Sequence, residues 1–160
     1  MPDRRNLNYA STADVAADIR RLRDAGYDKC GQWSLPQACH HLNVTCRFVM
    51  SPAEPQANTP EQDGRRPMLA RVMETGKLPP GIEAPEAVRP PADAPESAVD
   101  DLLATLAAFE RFPGPFRPHR LFGNLSHAEM RRLTLIHAAH HLSHLVPRDG
   151  AAAAAAAAAR

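Results

Sequence analysis

The chain has 160 residues and a net charge of +1 at pH 7, and only 5% of its residues are aromatic. Setting aside a proline-dense stretch, 51–96, and an alanine tail, 151–160, leaves 104 residues for one modest core built from Leu, Val, Ile, Ala and Met, a palette that suits packed helices and disfavours an all-β sandwich or barrel. Nineteen basic against eighteen acidic residues give no bulk reason to expect a nucleic-acid or anionic-membrane partner.

Met1 to Asn8 carries two arginines without an apolar run behind them, and nowhere do eighteen apolar residues follow one another with membrane character. The expectation is a soluble, unexported, cytoplasmic protein. Ser11-Thr12-Ala13-Asp14 offers an N-cap with an acid three residues on, and Val15, Ile19 and Leu22 then recur at helical spacing until Gly26, which predicts a first helix over 12–25. Ser34-Leu35-Pro36-Gln37 repeats the capping logic, with Trp33 placed as a hydrophobic staple, and predicts a second helix running to about Met50. Its apolar or small stripe passes through Ala38, Leu42, Thr45 and Val49.

Residues 51–96 hold ten of the sixteen prolines, so no long uninterrupted helix fits there, and Met68 to Glu74 has room for two turns at most. Neither flank is long enough to be a separate domain, which favours an ordered crossover packed on one bundle over a flexible linker. Ser97 to Asp100 caps a third helix whose buried face is Val99, Leu102, Leu103, Leu106 and Phe109, stopped by Pro113-Gly114-Pro115. Ser126 opens a fourth, with Met130, Leu133, His137, His141 and Leu145 in line until Pro147. Four helices with one long connection describe an all-α four-helix bundle. The alanine tail is low complexity and carries no chemistry.

Eight histidines are the anomaly. His137 and His141, four apart on one helix face, have Cβ atoms about 5–6 Å apart, close enough for two imidazoles to share one metal ion. A lone HxxxH is common on solvated faces, but this pair lies in line with Met130 and Leu133 and so faces inward. Two buried imidazoles without partners cost roughly 1–3 kcal/mol each, whereas a shared cation satisfies both. A third ligand is available from the second helix as His40 or His41, between which periodicity does not choose. His140 and His144 form a second pair one position round, with a supporting role or simple solvation open to them. His119 and His127 read as solvated. Cys30, Cys39 and Cys46 are an odd set without a CxxC, which suits a reducing compartment, and they read as small buried hydrophobes. A disulfide switch between Cys39 and Cys46 is poor, since two helical turns separate them by about 10 Å.

Trp33-Ser34-Leu35-Pro36-Gln37-Ala38-Cys39-His40-His41-Leu42 resembles the WSxxQxxxHL signature of DinB-like proteins, and His137-Ala138-Ala139-His140-His141-Leu142 resembles their HxxHH segment. Leu121-Phe122-Gly123-Asn124-Leu125-Ser126, preceded by Pro118-His119, is similar to the HPLFGxLS run of the DUF1569 branch, with Pro-His-Arg-Leu here in place of His-Pro-Leu. Gly76-Lys77-Leu78-Pro79-Pro80-Gly81 is similar to that branch's GKxPxG stretch. The resemblance spans about 4–147. It implies a DinB/YfiT-like bundle over 4–147 with a long proline-rich crossover between helices two and three, and a low-complexity tail at 148–160. It further implies a divalent metal, Zn, Ni, Fe or Mn, on His41, His137 and His141. His144 and His140 are candidates for a supporting shell. Superfamily members of known activity include metal-dependent transferases and isomerases that use low-molecular-weight thiols; the DUF1569 branch is itself of unknown function.

Three histidines leave coordination positions open, the arrangement of a catalytic metal. The expected activity is therefore metal-dependent attack of a thiol cofactor or water on an electrophilic small molecule, without an identifiable general base; His144 is the nearest candidate for proton transfer. The alternative is a non-catalytic bundle stapled by metal, acting as a binding or dimerising module, and exposed apolar faces are compatible with a homodimer.

Overall fold

A computed structural model describes residues 2–149 and shows a mostly helical protein. The alanine tail lies outside the described residues. Helix α1 spans Thr12–Ala25, with the Ser11 hydroxyl accepting from the Asp14 backbone N–H and Gly26 closing it at φ 71°. Strand β1, Tyr27–Lys29, follows, and then α2, Leu35–Met50, opened by a reciprocal Ser34–Gln37 capping box with proline in its first turn. Helix α5, Ser97–Arg111, and helix α6, His127–Leu142, are the other long helices; between α2 and α5 stand two shorter ones, α3, Pro60–Gly64, and α4, Arg66–Thr75. A Ser126–Glu129 capping box opens α6.

The apolar periodicities become the core. Val15, Ile19 and Leu22 of α1, Leu35, Ala38 and Leu42 of α2, Val99, Leu102 and Leu106 of α5, and Ala138 and Leu142 of α6 form one buried cluster. Helix α5 packs on α2 and α1, and α6 packs on both α1 and α2. A second cluster joins Leu69 and Val72 of α4 to Leu133 and Ile136 of α6 around Phe122. Among the described residues no helix is long and apolar enough to cross a membrane.

Three local expectations are corrected. The fourth helix stops at Leu142, and Leu145–Pro147 forms strand β2, antiparallel to β1 with Tyr27 opposite Pro147. The backbone of 145–147 there finds partners that a helix ending in proline denies it. Helix α4 has ten residues, more than two turns, because Pro67 falls in its first turn, where a missing N–H costs nothing. Helix α5 lacks a side-chain cap: Glu96 occupies the cap position and Ser97 is already helical.

The proline-rich segment is tied to the rest of the molecule. The Asn58 side-chain oxygen accepts from the Asn124 backbone and side chain at 2.7 and 2.9 Å, Gln62 donates to the carbonyls of His119 and Arg120, and Arg65 donates to that of Leu121. Gly123 sits at φ 70°, and a Cβ there would come within 2.2 Å of the Asn58 side-chain oxygen, so this close approach needs glycine. A short 3₁₀ turn, Glu86–Val88, lies against α2.

Candidate metal centre

The capping box fixes where α2 starts, and two turns later it delivers His41 to the core, 3% exposed. Helix α6 delivers His137 and His141 from successive turns of one face. The three residues bring one ligand atom each to within 4.8 Å of one another. His137 Nε2 lies 3.1 Å from His41 Nε2 and 3.0 Å from His141 Nε2.

The proton positions follow from the neighbours. His41 Nδ1 is 2.7 Å from the Val88 carbonyl oxygen, which only accepts, so Nδ1 carries the hydrogen and Nε2 presents a lone pair to the cluster. With three neutral rings, a single proton cannot serve both contacts at His137 Nε2 with good geometry. Charging the rings is no remedy. Burial first, and then the neighbouring histidines, hold His137 and His141 well below the ordinary imidazole range; burial also lowers His41, against the opposing hydrogen bond to Val88. Converging neutral imidazoles are the donor set of a divalent cation, and ligand nitrogens about 2.0–2.1 Å from a zinc ion stand about 3–3.5 Å apart, the separation of His137 Nε2 from each of the other two here.

Trp33 completes the surroundings. Its ring stacks on His141, with centroids 4.9 Å apart and an interplanar angle of 18°, and tilts against His41 at 5.0 Å. The staple position just before α2 is thus also a wall of the histidine cluster. Helical spacing carries no trace of this role, because the contact to α6 is long-range.

The other candidates fall in distinct places. His40 does not join the cluster. His140 sets its ring edge to His141 at 4.9 Å, and Arg4 donates to both its Nδ1 and its carbonyl at 3.0 Å. A guanidinium only donates, so His140 Nδ1 is the acceptor and its hydrogen is on Nε2. His144 lies farther out, against Gly31, with Nδ1 buried and without a hydrogen bond, and it does not line the cavity beside the cluster. His127 is exposed, as expected. His119 is not solvated: it is partly covered and lines that cavity, because the proline-rich segment folds over its loop. Cys39 and Cys46 are free and buried, and burial pushes both thiols up to about 12, as inert apolar cysteines require. Cys30 is partly covered.

The cavity encloses about 440 Å³ and reaches all three clustered histidines. Its remaining wall is largely apolar, with Val49, Leu78, Phe122, Met130 and Leu133 among its residues. It is a mostly apolar hollow with a few convergent polar groups, the general form that small-molecule sites take.

Fold and site together define a helical protein with a partly buried three-histidine cluster able to hold a metal ion at the wall of a cavity. The chain belongs to the DUF1569 family, described as a protein of unknown function, whose family model matches residues 1–148. No curated protein and no solved structure matches the chain.

Proposed function

We propose that this protein binds one divalent metal ion through His41, His137 and His141, and that it is a metal-dependent transferase or related enzyme acting on an electrophilic small molecule held in the cavity. The observation that carries the reading is the convergence of three Nε2 atoms, one of them fixed as a lone pair by Val88, on the wall of a 440 Å³ cavity. On this reading α1, α2, α5 and α6 are the four helices of a DinB/YfiT-type bundle over 4–147, with the proline-rich segment as its crossover. Bound there, a divalent ion supplies Lewis acidity that lowers the pKa of a thiol or a water. The chain's own part is to hold three neutral imidazoles in place, to exclude water with Trp33 and the apolar wall, and to orient the substrate against the cluster. Zinc suits imidazole and thiolate, and Ni²⁺, Fe²⁺ or Mn²⁺ also suit three imidazoles with open positions.

The rival reading, a bundle merely stapled by metal, calls for a closed four-ligand site. The cluster among the described residues has three members, and a cavity adjoins them, which favours the open arrangement. Incubating metal-loaded protein with low-molecular-weight thiols and a panel of alkylating and epoxide electrophiles tests the reaction. Turnover that disappears in His137→Ala supports it; no turnover with any thiol or with water leaves the stapled bundle.

A further inference from the structure

One side chain on the cavity wall is held as firmly as the three clustered histidines and comes from a different element. His119 exchanges backbone hydrogen bonds with Gly123 in both directions, at 2.7 and 2.8 Å, and its ring stacks on Phe122 with centroids 5.3 Å apart. Its Nδ1 accepts from the backbone N–H groups of Leu121, at 3.1 Å, and Phe122, at 3.4 Å. In a neutral imidazole the accepting nitrogen carries no hydrogen, so the hydrogen sits on Nε2. Burial, reinforced by the Arg120 charge, pulls the ring's pKa down to about 4, which keeps it neutral at physiological pH. His119 Nε2 has no hydrogen-bond partner among the described residues, yet it is not one of the sealed, unpartnered polar atoms. The ring lines the cavity and lies near enough for its charge to bear on His137.

We propose that His119 Nε2–H is a fixed hydrogen-bond donor for the cavity's ligand, and that this ligand is a small, uncharged, largely apolar molecule with a carbonyl acceptor. The inference rests on the proposed reading of the cavity as a substrate site, but not on the metal. Besides the apolar wall already described, its exposed lining residues are Phe48, Ile82 and Ala87 together with one acid, Glu83, and one base, Arg120, so the edge is mainly apolar and carries no net charge. A neutral donor suits an uncharged acceptor, because a buried anion loses more hydration than one neutral hydrogen bond returns. The donor's direction is set by the 119–123 turn, which Asn58, Gln62 and Arg65 brace from outside.

The test uses the full chain freed of metal. Two-bond ¹H–¹⁵N spectra of the imidazoles report the tautomer, and titration with acetophenone and with ethylbenzene reports the donor. His119 is expected as the Nε2–H tautomer, with its Nε2 signal shifted by acetophenone and not by ethylbenzene. His119→Asn keeps an acceptor near the Nδ1 position for the turn and removes the donor at the Nε2 position, which the shorter amide does not reach. It is expected to weaken acetophenone about fivefold while leaving ethylbenzene unchanged. His119→Phe, which keeps a ring without nitrogens, should do the same. An Nδ1–H tautomer, binding of neither probe, or equal changes for both probes would overturn the proposal. Because the titrations use metal-free protein, a finding of negligible metal in the purified protein would leave these results untouched.

Discussion

His41 shows how one residue's surroundings fix its chemistry. The Val88 carbonyl takes the Nδ1 hydrogen, and the other nitrogen is left as a lone pair facing His137. Trp33 does comparable work from the apolar side, and it is the chain's single tryptophan. Because it stacks on His141, its fluorescence is expected to fall steeply on adding Ni²⁺ or Co²⁺ to metal-free protein and to be insensitive to them in His141→Ala. Removing the ring in Trp33→Leu is expected to weaken metal binding by about 10-fold or more, measured by competition with a chelator. His119 offers a pH test. Its folded pKa, about 4, lies below the ordinary 6.5, so below pH 6.5 the unfolded chain binds the extra proton and stability falls as pH drops toward 4. One such group contributes a slope of up to about 1.4 kcal/mol per pH unit across that window. Urea midpoints for His119→Asn should therefore show a shallower acid loss than wild type between pH 6.5 and 4.

At the scale of elements, the helices were legible because their signals are local. Ser11, Ser34 and Ser126 each occupy the cap position that spacing assigns them, and Gln37 and Glu129 close the boxes. Ser34→Ala is expected to cost about 1 kcal/mol in urea unfolding, since it strands the N–H of Gln37 at the start of α2. The strands were not legible. Each has three residues, too few for an alternating pattern, and β1 pairs with a segment at the far end of the chain. The same limit explains His119, whose cover comes from Gln62 and Arg65 in a segment whose composition speaks only of prolines. The pair His137 and His141 could be read from spacing. His41 in preference to His40 needed the family resemblance, and Trp33 as a wall of the cluster needed the packing of α2 on α6.

At the scale of the molecule, the aromatic-poor composition is matched by a core of aliphatic side chains with few rings. Leu102 and Val15 are sealed between α1, α2 and α5, and Phe109 is one of the few large aromatic side chains fully buried. Leu102→Ala is expected to destabilise by about 2–5 kcal/mol in denaturant titration, with metal content per folded chain unchanged, because Leu102 neither joins the histidine cluster nor lines its cavity. The histidines instead bridge α2 and α6, so an ion between them links two long helices and should raise the thermal midpoint with increasing free metal.

The most direct measurement of the central claim is elemental analysis of protein purified without added metal, for wild type and for His41→Ala, His137→Ala and His141→Ala, each checked for helical content. Close to one divalent ion per chain in wild type, with little in any folded single variant, is the expected result. Equal metal content in all four, negligible or not, would contradict it.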